Sequence, residues 1–307
     1  MSTWLITHPA CLKHDTGPGH PERSERLRAV LGALDAADFA DLERHEAVPA
    51  TKEQLARVHK PDYVDAVLAA IPKDGYRAMD ADTFISPDSG KAALCAAGAV
   101  CMGIDAVLAD RAKRVFCAVR PPGHHAEIDH AMGFCLFNNI AVGAAHGAAA
   151  HGLHKIAIVD FDVHHGNGTQ SMLAGRPEFL YVSTHQHPLY PGTGSRSGNR
   201  HGNIRNIPLP PGTGSTEFRQ RFAAEGVMAL LDFDPDLLLI SAGFDAHRDD
   251  PLAGLELTEG DYYWVTSELV AVANYCCGGR IVSTLEGGYN LEALAHSAAS
   301  HVAALME

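Results

Sequence analysis

The sequence predicts an α/β fold, a single domain with a mostly parallel central sheet and helices on both faces. Short β-branched runs alternate with longer Ala/Leu-rich segments along the 307 residues. The runs are apolar almost throughout rather than at every second position, as expected of strands covered on both faces. At 46% hydrophobic the chain can bury a large core, and no Ser/Pro linker, charge block, low-complexity tract or internal repeat divides it.

In chain order, segments near 22–36, 52–70 and 89–109 read as helices, and "RVFCAV" (114–119) follows as a strand. A helix at 138–152 leads into "KIAIVDF" (155–161), after which comes "FLYVST" (179–184). A helix at 215–231 precedes "DLLLISAG" (236–243), one at 258–275 precedes "RIVSTLEGG" (280–288), and one at 290–305 closes the chain. The connection "STHQHPLYPGTGSRSGNRHGN" (183–203) is long and Gly-rich, the kind that is either functional or mobile.

A formal charge of −13 repels phosphate backbones, and no basic patch offsets it, so no nucleic-acid partner is expected. The acidity suits neutral or cationic substrates and equally serves solubility. The first residues, "MSTWLITHPACLKHD", lack a basic region followed by an apolar one, and no segment reaches the roughly 18 uncharged apolar residues of a membrane span. The expectation is a cytoplasmic protein with no membrane partner. Seven cysteines without CxxC spacing read as reduced core residues.

In parallel sheets ligands bind beyond the carboxyl ends of the strands, and the 19 histidines gather around turns there. "RPPGHH" follows Val119, "DFDVHHGNG" follows Val159, "GFDAHRDDP" follows "LLLISA" and "EGGYN" follows "IVSTL". If the strand continues through "DFDVHH", Asp160, Asp162 and His164 project to one side. Two carboxylates and an imidazole so placed imply a cation, with Asp245 at the next strand end as a third ligand; the plainer reading is a solvated turn. The oxygen-rich set suits zinc, and also Fe(II) or Co(II). Water activated by such a metal still needs a proton acceptor, which His124 and His125 can supply from the neighbouring strand end. Asp160 and Asn167 are the polar groups available to orient the two rings, and a carboxylate favours imidazolium where an amide does not. Gly287 and Gly288 free the backbone before Tyr289, whose phenol can donate to a developing oxyanion.

The set "RPPGHH", "GFCLFNN", "DFDVHHGNGT", "YPGTG", "SAGFDAHRDDPLAG" and "LEGGYN", with "GPGHPERSERL" near the amino terminus, resembles the zinc-dependent histone deacetylase family. It is most similar to class II and bacterial deacetylase-like amidohydrolases of the arginase/deacetylase fold, and the likeness covers essentially 1–307. The resemblance implies Asp162, His164 and Asp245 as ligands of one catalytic zinc. It makes His125 the general base and acid, His124 its electrostatic partner held by Asp160, and Tyr289 the group that polarises the carbonyl. Asn167 stands where some members carry Asp. Gly133, Phe134 and Tyr190 match the walls of an acyl-lysine tunnel. A structural potassium ion would use Asp160, Ser183 and Thr184 with the main chain of Asp162 and His164.

The implied activity is removal of acetyl or other acyl groups from lysine side chains, with acetylpolyamine hydrolysis as the alternative. The polyamine-selective relative carries an acidic gatekeeper seven residues after the last metal ligand, where this chain has Leu252, which favours an apolar-linked amide. Asp249, Asp250 and Asp82 remain acids that could draw a cation from nearby loops. Expected partners are an acetylated lysine peptide or protein or an acetylated small amine, with homo-oligomerisation open. A non-catalytic binding module would lack a ligand, the base or the tyrosine, and a binuclear manganese ureohydrolase would need further bridging carboxylates.

Overall fold

The computed structural model describes residues 2–195 and 202–307; the end of the expected Gly-rich connection at 183–203 therefore lies partly outside the described residues. Among the described residues ten strands are formed: β1 Thr3–Thr7, β2 Glu43–Glu46, β3 Arg77–Ala78, β4 Phe84–Ile85, β5 Arg114–Cys117, β6 Ile156–Asp160, β7 Phe179–Gln186, β8 Ile204–Leu209, β9 Leu237–Ala242 and β10 Ile281–Leu285. Eight of them make one sheet in the order β2-β1-β5-β10-β9-β6-β7-β8, every pairing parallel, while β3 and β4 form a separate hairpin.

Helices α1 Ser24–Ala33, α2 Lys52–Leu55, α3 Pro61–Ala70, α4 Ser89–Leu108, α5 Asn139–His151, α6 Asn167–Leu173, α7 Ser215–Arg221, α8 Met228–Phe233, α9 Glu259–Cys276 and α10 Leu291–Met306 connect them. α4 and α5 pack on β1, β5, β10, β6 and β9, while α10 packs on β5 with α1 and α9 beside it. Five of the six interior strands, β5, β10, β9, β6 and β7, are buried at every position, which is why they read as largely apolar runs.

The sequence reading located those five and missed β1, β2 and β8. β2 is "ERHE", a polar edge strand with no apolar run to read, and β8 carries Pro208 at the other edge. The helix expected at 52–70 is two, because Pro61 cannot continue a helix begun at the Thr51 capping box and instead starts α3. The helix expected at 215–231 runs through a π turn, Phe222–Val227, between α7 and α8. α4 is apolar enough in length and composition to cross a membrane, but 72% of its 18-residue apolar stretch is buried, and it packs on the sheet and α5. All seven cysteines are free, and all but Cys276 are buried.

Histidine also works as a core residue here. His301 of α10 is fully buried between the hydroxyls of Thr266 (2.6 Å) and Ser283 (2.8 Å), tying α9 to β10. His59 accepts from the Asn138 amide at 2.9 Å and donates to Glu127 O at 3.0 Å, a pattern that only the neutral ring satisfies. Burial pushes the His301 pKa down to about 3 and that of His59 down to about 4. Both folded values lie below the unfolded one, so the unfolded chain binds more protons in between and stability falls as pH falls below about 6.5. Each histidine should remove about 1.4 kcal/mol per pH unit across that window. Thermal unfolding from pH 7 to 4.5 should show a falling Tm, with a shallower slope in His301→Gln; an equal slope in the variant would contradict this account.

Candidate active site

The five contiguous interior strands bring their carboxyl ends to one edge of the sheet, and the site is built there. β6 ends at Asp160, so Asp162 and His164 do not reach it by strand alternation as the sequence suggested. Side-chain turns do the work instead. Asp160 Oδ1 accepts from the Asp162 amide at 3.1 Å, and Asp162 Oδ1 from the His164 amide at 2.9 Å, which bends the chain back in two steps. Asp245 follows β9, the immediate neighbour of β6. His164 Nδ1 then lies 3.2 Å from Asp162 Oδ1 and 3.1 Å from Asp245 Oδ2.

This trio suits a metal. Ligands about 2.0–2.1 Å from a tetrahedral ion stand roughly 3.3 Å from one another, close to the separations here. Asp162 and Asp245 are fully buried, and their only ion-pair partners among the described residues are histidines. Burial and then the charge of Asp162 push Asp245 up to about 7. Burial opposes a proton on His164, yet its bonds to the two carboxylates raise its pKa to about 10, so the donor set draws in positive charge. Gly287 makes room: a Cβ there would stand 2.0 Å from Asp245 Oδ2, and its N–H donates to Asp162 Oδ2 at 2.8 Å. A second cluster, Asp105, His146 and His151, has N···O separations of 2.8 and 2.7 Å. Those are hydrogen-bond lengths, and Arg57 donates to His146 Nδ1 at 2.8 Å, which leaves the hydrogen on the nitrogen that faces Asp105.

His124 and His125 do not come from a neighbouring strand end, because β10 and β9 separate β5 from β6. The Pro-Pro-Gly turn carries them across. Glu286, after β10, anchors that turn by accepting from the amides of Gly123 (2.7 Å) and His124 (3.2 Å) and from the Ser241 hydroxyl (3.1 Å). The two rings lie 4.0 Å apart and meet different partners. His124 Nδ1 faces Asp160 Oδ2 at 3.1 Å, while His125 Nδ1 faces Asn167 Oδ1 at 2.8 Å. Burial would lower the His124 pKa, but Asp162 and Asp160 outweigh it and hold it well above its usual value. Burial, then the positive charge of His124 and His164, holds His125 well below its own.

A cavity of about 200 Å³ opens over this cluster, lined by His125, His164, Gly133, Phe134, Tyr190, Leu252 and Tyr289 with Asp82 and Leu189. Gly133 and Phe134 both have positive φ, +56° and +69°, unusual for a bulky residue and held by Asp82 Oδ1 and Thr83 Oγ1, which accept from their amides. That turn sets the Phe134 ring 5.9 Å from Tyr289. Arg26 lies 4.8 Å from the centre of the Tyr289 ring and donates to Gly288 O and Glu286 O, while Asp250 accepts from the amides of Tyr289 and Leu252.

Thus Asp160, Asp162, His164, Asp245, His124, His125, Asn167 and Tyr289 converge, and the four expected tunnel residues line the cavity. Ser183 pairs with Asp160 across β6 and β7, beside Thr184, but Asp160 already accepts from Tyr181 and Asp162, and Ser183 pairs with His185. No orphaned side-chain oxygen there calls for potassium. Glu286, Arg26 and Glu127 escaped the sequence reading, although Glu286 opens the quoted "EGGYN".

Residues 20–305 match the family model of the histone deacetylase domain. An uncharacterised protein of Synechocystis is 41% identical over 299 residues, covering 95% of this chain and 96% of that one. The type-2 histone deacetylase 2 of Dictyostelium discoideum is 37% identical over 357 residues, where this chain spans only 21% of that protein's length. The crystal structure of the HDA15 HD domain aligns with a TM-score of 0.91 at 37% identity, covering 99% of this chain and 88% of that chain. Sequence, fold and strand-end cluster agree: the chain belongs to the histone deacetylase family of hydrolases.

Proposed function

We propose that the protein is a zinc-dependent amidohydrolase that removes acetyl or other acyl groups from lysine side chains. The observation that carries this reading is the meeting of Asp162, His164 and Asp245, with His164 in the lining of a cavity that also holds His125 and Tyr289. When bound by that trio, zinc supplies Lewis-acid polarisation of the amide carbonyl and of water. His125, neutral at its cavity-facing edge, accepts the proton of the attacking water and delivers it to the departing lysine nitrogen. His124, whose pKa Asp162 and Asp160 hold well above its usual value, places positive charge beside the developing tetrahedral centre. Tyr289 donates its hydroxyl to the carbonyl oxygen as negative charge grows there. Phe134, Gly133, Tyr190 and Leu252 exclude water from the aliphatic chain. A potassium ion at Asp160, Ser183 and Thr184 is a finer proposal resting on the β6/β7 register alone. A cytoplasmic location is likewise a proposal, resting on the sequence reading alone.

Acetylpolyamines are the second reading, favoured by Asp82 at the cavity rim. Leu252 in the lining favours acyl-lysine, since it offers a distal ammonium no charge.

His125→Ala should reduce kcat by about 10²- to 10⁴-fold while zinc content stays at the wild-type level. Retained turnover in that variant would sink the role. In contrast, Asp245→Ala should lose bound zinc and activity together, measured by metal analysis after dialysis; a fully zinc-loaded variant would remove Asp245 from the donor set. Acetate release from an acetyl-lysine peptide and an acetylpolyamine should show higher kcat/KM for the peptide. Leu252→Glu should move that ratio towards the polyamine by about 10-fold, and an unmoved ratio would show that Leu252 does not set the choice.

A further inference from the structure

Glu127 stands two residues after His125, at the edge of the site rather than in its cavity. Its Oε1 accepts from Asn167 Nδ2 at 2.7 Å, and its Oε2 from the Ser171 hydroxyl. On its other side Asn167 presents Oδ1 to His125 Nδ1 at 2.8 Å. An asparagine amide by itself can face a histidine with either its oxygen or its nitrogen, and the two orientations select opposite ring tautomers. A carboxylate offers only acceptors. Opposite Glu127, therefore, Asn167 must turn its NH₂ to the carboxylate and its oxygen to the ring. His125 O at 3.4 Å and Met132 Sδ at 3.3 Å accept from the same NH₂, but at longer range.

The consequence reaches the chemistry. With an oxygen opposite it, Nδ1 of His125 carries the hydrogen, and the neutral ring keeps its lone pair on Nε2. With the amide reversed, the hydrogen would sit on Nε2 and that nitrogen could accept nothing. We propose that Glu127 is a positioning residue that fixes the Asn167 amide and, through it, the tautomer of His125. This rests on the reading of His125 as the proton acceptor. A carboxylate at position 167 would impose the tautomer unaided; an amide there needs Glu127 to make it single-valued.

The test is a pair of substitutions that should repair each other. In Glu127→Gln the new amide can pair with Asn167 in either orientation, so kcat should fall about 10-fold with KM nearly unchanged. In Asn167→Asp the tautomer is fixed, but two carboxylates meet where the structure has a 2.7 Å contact, so this variant should also be impaired. The double variant Glu127→Gln/Asn167→Asp restores a donor opposite an acceptor and should recover kcat to within about threefold of the wild type. Two-bond ¹H–¹⁵N NMR of the His125 ring provides a readout independent of turnover. It should report the Nδ1–H tautomer in the wild type and in the double variant, and a share of Nε2–H in Glu127→Gln. An unchanged tautomer and kcat in Glu127→Gln, or a double variant no better than the singles, overturns the proposal. Normal turnover in His125→Ala overturns instead the underlying reading of that ring.

Discussion

Two carboxylates buried at the ends of adjacent parallel strands set the terms for everything around them. Asp162 and Asp245 are fully enclosed, and no lysine or arginine ion-pairs with either among the described residues. Removing such charges from water costs several kcal/mol each unless hydrogen bonds and opposite charge return it. The surrounding chain returns it in small parts. The amides of Val163, His164 and Gly287 point at carboxylate oxygens, and His164 lies against both. Gly243 and Gly287 are glycines because a Cβ at either would stand 2.0 Å from one of those oxygens. The sheet order supplies the rest, since it puts β6 and β9 side by side.

From the same negative centre follows the asymmetry of the histidine pair. Adjacent in sequence and 4.0 Å apart, the rings would behave alike if left alone. Asp160 gives one of them a carboxylate and Asn167 gives the other an amide; with Asp162, the carboxylate holds His124 well above its usual pKa, while burial and then the charge of His124 hold His125 well below. The tyrosine opposite is placed through its backbone. Its peptide is suspended between Arg26 from α1 and Asp250 from the loop after β9, two segments that meet only in the folded chain.

Much of this was legible because the informative groups lie in short stretches at strand ends. "DFDVHH" and "GFDAH" each carry their candidate ligands within a few residues of an apolar run, and the parallel-sheet rule places such runs in one plane. Legibility failed where the physics is long-range. Strand alternation does not bring Asp162 and His164 together; side-chain turns after the end of β6 do. β2 had no apolar signature because it lies at an edge. Arg26 contacts the carbonyls of Glu286 and Gly288, some 260 residues away, and no local pattern announces that. Glu286 was overlooked because a carboxylate that accepts from a turn looks, in sequence, like any other glutamate.

The first strand has a bearing on where this domain can be said to begin. The family match starts at residue 20, yet β1 spans Thr3–Thr7 and sits inside the sheet between β2 and β5. Just beyond it, the carbonyls of Cys11 and His14 accept from Arg120, which also pairs with Glu22 and opens the turn that carries the histidines. A fragment trimmed to the matched residues would keep every metal-ligand candidate and every tunnel wall. It would also expose the flank of β5, strip two acceptors from the buried Arg120 guanidinium, and loosen the turn on which His124 and His125 are mounted.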